Sequence, residues 1–329
     1  MVKHSEDGLT QVIMARMADV VPATISRFIS KNSIAPLESN GKRNIRYSID
    51  KSRDIISAIK EKKTISQKCH AFYNFKGGTG KTSLCYQVST HVALMGYRVL
   101  VIDTDPQAHL TSSFNIIGFE QRETLYDCIV RQKDIDEIVT DVFPGCQIIP
   151  SNLSLTRLEP ELNNMARREE RLDIVLGGIK EKYDFIFIDT NPTISILNRN
   201  VIVTSDCLDV VAETQPFSLM GLKYLMEDIE KFYSQMQLKP RRLNIIPNKY
   251  EDRSSNSAEA MSILRKYYGK YIKEDFAIRR SEDIINSSKI SKPVSLFAKK
   301  NSIAVEDVLE LVKYIIITSQ ENYYAKDQI

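Results

Sequence analysis

From residue 71 onward, short apolar runs alternate with longer stretches whose apolar positions recur at helical spacing. Residues 71–75, 99–102, 147–149, 185–188, 210–212 and 243–246 are the apolar runs, and 158–179 and 219–236 carry the clearest helical pattern. Runs this uniformly apolar suit strands covered on both faces, as in a parallel sheet. The alternation predicts an α/β fold with a mostly parallel, doubly wound sheet. Such sheets bind ligands at the carboxyl ends of their strands, and polar residues gather there: Asp103 and Asp105 after one run, Asp189 after another, Asn248 after a third.

The first seventy residues follow a different pattern. Residues 11–18 have helical spacing, and a second helix begins at Pro22 after a short turn. Residues 41–50, Gly-Lys-Arg-Asn-Ile-Arg-Tyr-Ser-Ile-Asp, read as a basic hairpin leading into a further helix. The run Val20-Val-Pro-Ala-Thr-Ile-Ser-Arg27 resembles the helix-turn-helix signature Val-Ser-x-x-Thr-Val-Ser-Arg, departing from it at Val21, and Asp19 stands where a turn glycine is common. A winged helix-turn-helix would bring Thr24, Ser26 and Arg27 to base edges or phosphates, and Lys42, Arg43 and Arg46 to the nucleic-acid backbone. The alternative is a small helical unit with a solvated basic face.

Charge supports two units. The 329-residue chain has a formal net charge of only +3, yet residues 1–70 hold thirteen Lys/Arg against seven Asp/Glu. That imbalance suits a polyanionic partner. The polar, lysine-rich segment 59–68 reads as a helix end and linker, placing a winged helix-turn-helix domain and linker at 1–68 and a larger domain at 69–329. A composition of 43% hydrophobic and 26% charged residues is that of a globular protein. No apolar run approaches the ~20 residues of a membrane span, and the first residues lack a signal-peptide pattern, so a cytoplasmic protein without a membrane partner is expected. Five cysteines, an odd number without a Cys-x-x-Cys pair, suggest small buried hydrophobes rather than a disulfide framework or metal site.

The chemistry concentrates at Phe72-Tyr-Asn-Phe-Lys-Gly-Gly-Thr-Gly-Lys-Thr-Ser83, between an apolar run and a helical pattern closed by Gly96. Gly77, Gly78 and Gly80 allow the backbone to turn its N–H groups, Thr79 included, toward anionic oxygens at a helix N-terminus. Lys81 would neutralise the outer phosphates of a nucleotide, and Thr82, followed by Ser83, would place a hydroxyl on magnesium. Phe75 stands where the ordinary phosphate-loop pattern has glycine, and a second lysine, Lys76, follows it.

With Arg98-Val-Leu-Val-Ile-Asp-Thr-Asp-Pro-Gln-Ala-His109 and Tyr183-Asp-Phe-Ile-Phe-Ile-Asp-Thr-Asn-Pro192, these residues closely resemble the ParA partition ATPases of the deviant-Walker class over about residues 69–315. Asn191 departs from the proline common in that family. The resemblance implies a P-loop NTPase fold, ATP and Mg2+ as cofactors, and a sandwich homodimer in which Lys76 reaches the partner's nucleotide. It further implies that Asp105 orients the attacking water, that Asp103 and Asp189 hold magnesium mostly through its waters, and that Asn248 contacts adenine. Arg279 and Arg280 fall where the family touches non-specific DNA. A centromere-binding partner would stimulate slow hydrolysis, and the N-terminal unit would bind an operator, giving a nucleoid-associated protein. Three other readings remain: a MinD-like positioning ATPase, disfavoured by the polar C-terminal tail; a nitrogenase-reductase-like enzyme, disfavoured by the setting of Cys128 and Cys146; and a nucleotide-switched repressor without a partition role.

Overall fold

The computed structural model describes residues 7–37, 45–66, 68–299 and 301–320. A two-stranded ribbon, β1 (Gly8–Thr10) with β2 (Arg46–Ser48), accompanies a seven-stranded sheet of β3 (Cys69–Tyr73), β4 (Val99–Asp103), β5 (Thr140–Phe143), β6 (Cys146–Ile149), β7 (Phe185–Asp189), β8 (Cys207–Glu213) and β9 (Arg242–Asn248). The large sheet runs in the order β5-β6-β4-β7-β3-β8-β9. Every pairing in it is parallel except β5 with β6. The expected α/β architecture with a mostly parallel sheet is therefore present.

The six predicted runs coincide with strands, the first overrunning β3 by Asn74 and Phe75, because β3, β4 and β7 are buried at every position and β6, β8 and β9 at nearly every one. The register places Asp103 opposite Asp189 and Phe72 opposite Asp189, so three central strands end at one level. The helix α4 (Lys81–Leu94) leaves the loop after β3 and is buried along almost its whole length.

Two local expectations are corrected. Residues 158–179 form two helices, Leu158–Asn163 and Arg171–Leu176, rather than one. The Asn163 and Asn164 side chains donate to the carbonyls of Glu159 and Pro160, Arg167 adopts φ 51°, and the helix is interrupted there. The strand at 46–48 pairs antiparallel with Gly8–Thr10, and its Arg46 carbonyl accepts from the Leu37 amide; residues 41–44 of the expected hairpin lie outside the described residues. Only glycine fits at position 8, where a Cβ would lie 2.2 Å from the Tyr47 carbonyl oxygen. The helix expected over 219–236 begins earlier, at Pro216, whose fixed φ suits the first helical position.

The N-terminal residues make α1 (Gln11–Ala18), α2 (Pro22–Lys31) and α3 (Ile49–Ile59). Thr10 and Ser48 cap α1 and α3 through their side chains, whereas α2 starts at Pro22 without a side-chain cap. Between α1 and α2, Asp19 takes the left-handed φ of 58° that a turn glycine would otherwise supply. These helices share one buried apolar cluster with α4, β4 and the helix Ile303–Thr318. Arg53 of α3 adds polar anchorage, donating to the carbonyls of Ala93, Gly96 and Tyr97 at the carboxyl end of α4. All five cysteines are buried and free, as expected of small hydrophobes. Among the described residues, no helix is long and apolar enough to cross a membrane.

Candidate nucleotide-binding site

Strand β3 ends at Tyr73, α4 begins at Lys81, and the residues between them form a tight loop. Gly78 (φ 74°) and Gly80 (φ 98°) hold left-handed conformations that turn the chain into the helix N-terminus. At Gly80 a Cβ would lie 2.3 Å from Asn248 Nδ2, which donates to the Thr79 carbonyl at 2.7 Å. Asn248 thus braces the loop from the end of β9, its Oδ1 accepting from the Lys249 amide. An open cleft of about 940 Å3 lies over the loop, lined by Gly77, Gly78, Lys81, Thr82, Ser83 and Asp105 among others.

The carboxylates at the strand ends differ in how they are satisfied. Asp103 accepts from the Asp105 amide at 3.0 Å and from the Thr111 amide and hydroxyl at 2.9 and 2.7 Å, so both its oxygens are engaged. Burial pushes its carboxyl up to about 6. Asp189 accepts from the Thr82 hydroxyl at 2.7 Å through Oδ2, while its buried Oδ1 has no partner. Burial, reinforced by the charge of Asp103, raises the Asp189 carboxyl well above the usual range. Burial likewise lowers the Lys81 ammonium, against the pull of Asp189 and Asp105. A buried carboxylate oxygen without a donor, beside a hydroxyl and a glycine-rich helix N-terminus, has the chemistry of a cation site next to an anion site. Thr82 and Asp189 fit a magnesium ion; Asp103, opposite Asp189 in the strand register, already has both oxygens hydrogen-bonded.

Asp105 is half-buried at the cleft with Oδ1 accepting from the Gln107 amide. Lys81 reaches back to the Lys76 carbonyl at 3.2 Å. Lys76 itself donates to Glu213 Oε2 at 2.8 Å and to Ser218 Oγ at 2.7 Å. Where proline is common, Asn191 makes its turn by another route: Asn198 Nδ2 donates to Asn191 O, Asn191 Oδ1 and Thr193 O. Sequence reasoning missed Glu213, Ser218, Lys249 and Thr111. Only Glu213 carried a signal, a lone acid closing an apolar run.

The residues expected to meet DNA are scattered. Ser26 and Arg27 are exposed on α2 and Thr24 is half-buried. Arg46 donates to the carbonyls of Gly8 and Leu296, tying the ribbon to the body of the fold. Lys42 and Arg43 lie outside the described residues. Arg279 is engaged by Asp307 and Glu306, and Arg280 by Glu251.

Comparison with known proteins places this geometry. A family model described as an AAA domain matches residues 67–243. The chromosome partitioning protein ParA of Caulobacter vibrioides is 31% identical over 233 residues, covering 70% of this chain and 87% of that protein. An ATP complex of a McdA variant from Cyanothece superposes with a TM-score of 0.69 at 21% identity, over 77% of this chain and 97% of that one. A putative plasmid partition protein from Borrelia burgdorferi bound to AMPPNP gives 0.63 at 22% identity, over 77% and 99%. The two structures share the fold, and the ParA relative and the AAA-domain match carry the assignment: the chain belongs to the ParA-type family of P-loop ATPase domains.

Proposed function

We propose that this protein is an ATP-dependent DNA partition ATPase. The observation that carries the reading is the unpartnered Asp189 oxygen beside Thr82 and Lys81, at the mouth of a glycine loop that also holds a second lysine, Lys76. ATP would bind with its phosphates over residues 76–83. Thr82 and Asp189 would hold Mg2+, with Asp103 on the neighbouring strand; bound there, the ion would neutralise phosphate charge. Lys81 would neutralise the outer phosphates, Asp105 would orient water, and Asn248 would fix the loop on the base side. Lys76 would complete a sandwich homodimer, so that ATP binding and dimerisation are one event.

The dimer would bind non-specific DNA, and a centromere-binding partner would stimulate hydrolysis and release. Of the two arginines near residue 280, Arg280 is the freer to contact phosphate, since Arg279 is held by a buried aspartate. Residues 1–68 would act as a helix-turn-helix operator-binding unit reading DNA through Ser26 and Arg27, making the protein a repressor of its own gene. The reading is supported by the relative named for chromosome partitioning and by the exposure of α2. Lys81→Ala tests it: the variant should lose ATP turnover and ATP-dependent DNA binding together. A folded Lys81→Ala protein that retains both would overturn the reading.

A further inference from the structure

Lys76 is committed inside its own subunit. The cleft above the loop is lined by Gly77, Gly78, Gly80, Lys81 and Lys249, not by Lys76. Its ammonium sits instead between Glu213, the last residue of β8, and Ser218, in the first turn of the helix Pro216–Gln235. The Glu213 side chain is only 20% exposed and that of Lys76 43%, so the pair is partly shielded, and the Ser218 hydroxyl at 2.7 Å fixes its geometry. The other oxygen of Glu213 faces Lys249, whose ammonium donates to the Gly78 carbonyl. One carboxylate therefore spans two amines on either side of the glycine turn. Strand pairing holds it there, with Glu213 opposite Asn248, the residue that braces the same loop.

The charge of this amine and two of its three N–H donors are thus engaged within the subunit. We propose that Glu213 and Ser218 are positioning residues that retain Lys76 in its own subunit, and that dimerisation on nucleotide requires Lys76 to leave them for the partner's phosphates. The inference rests on the cross-subunit role proposed for Lys76 above. Glu213 sets a threshold: dimer forms only when a polyanion outcompetes one partly exposed carboxylate and one hydroxyl.

Two variants separate the contacts. Glu213→Gln removes the charge facing both amines, whereas Ser218→Ala removes a hydroxyl that, among the described residues, hydrogen-bonds Lys76 and not Lys249. In nucleotide-free protein, acylation of Lys76 by an amine-reactive ester, read by peptide mass spectrometry, should rise in both variants. Acylation of Lys249 should rise only in Glu213→Gln. By light scattering with AMPPNP, the midpoint for dimerisation should fall about 2- to 5-fold in Glu213→Gln, the range of a partly exposed ion pair, and less in Ser218→Ala. In a Lys76→Ala background AMPPNP should give no dimer, with or without Glu213→Gln, and a dimer there overturns the parent reading. Unchanged Lys76 acylation, or raised acylation with an unchanged midpoint, overturns the retention role while leaving the parent reading intact. A wild-type protein that stays monomeric with AMPPNP overturns the parent reading and the retention role with it.

Discussion

Gly80→Ala is the change whose effect can be worked out most completely. The residue has φ 98°, where an L side chain costs about 1–2 kcal/mol, and the added methyl would meet Asn248 Nδ2 at 2.3 Å. Nδ2 cannot retreat without giving up its bond to the Thr79 carbonyl, worth about 1–1.5 kcal/mol, so Gly80→Ala should destabilise the protein by about 2–4 kcal/mol. Asn248→Ala alone forfeits the bond and leaves the carbonyl without that donor, at about 1–3 kcal/mol. In the double variant the clash has already been removed, leaving only the backbone strain of an alanine at position 80. The two changes should therefore be less than additive by about 1–2 kcal/mol, read as urea midpoints with unchanged slopes. Costs that add to within about 0.5 kcal/mol would show that Asn248 does not brace the loop, and the account of both residues would fail.

Three other outcomes follow from buried polar groups. His91 is fully buried on α4, burial lowers its imidazole to about 4, and its Nδ1 donates to the Gln87 carbonyl. Below the ordinary histidine range the unfolded chain takes up a proton that the folded one refuses, so stability falls by about 3 kcal/mol between about pH 6.5 and 4; His91→Asn should lack this loss in pH-dependent urea titrations. Arg53→Ala should cost about 2–3 kcal/mol by freeing three carbonyls at the end of α4, and Arg53→Lys should not restore it, because one ammonium cannot span the fork. Arg279→Ala leaves Asp307, 5% exposed, without its cation and should cost about 3 kcal/mol in thermal or urea unfolding, whereas Arg280→Ala, which removes only a surface ion pair, should leave the unfolding midpoint essentially unmoved.

What the sequence could and could not convey follows from how each signal arises. Strands β3, β4 and β7 were legible because burial on both faces demands apolar residues at every position, a pattern independent of the partner strand. The glycine loop was legible because φ above zero admits almost nothing else at Gly78 and Gly80. Strand β5 escaped because an edge strand, Thr-Asp-Val-Phe with one buried residue, needs no apolar run. The ribbon partner of Arg46–Ser48 escaped because a pairing so distant in the chain leaves only a glycine as its trace. Charges are the hardest case. A lysine or arginine declares its sign in the sequence but not its counter-ion, and the counter-ion decides whether it is free to bind. Arg46, spent on two carbonyls, and Arg279, spent on Asp307, look identical in sequence to the exposed Arg27. Lys76 shows the converse: a lysine whose position identifies the family is engaged by Glu213 and Ser218, neither of which belongs to any motif. A motif records the lysine; the residues that engage it come from a strand end and a helix start far along the chain, and only the fold displays them.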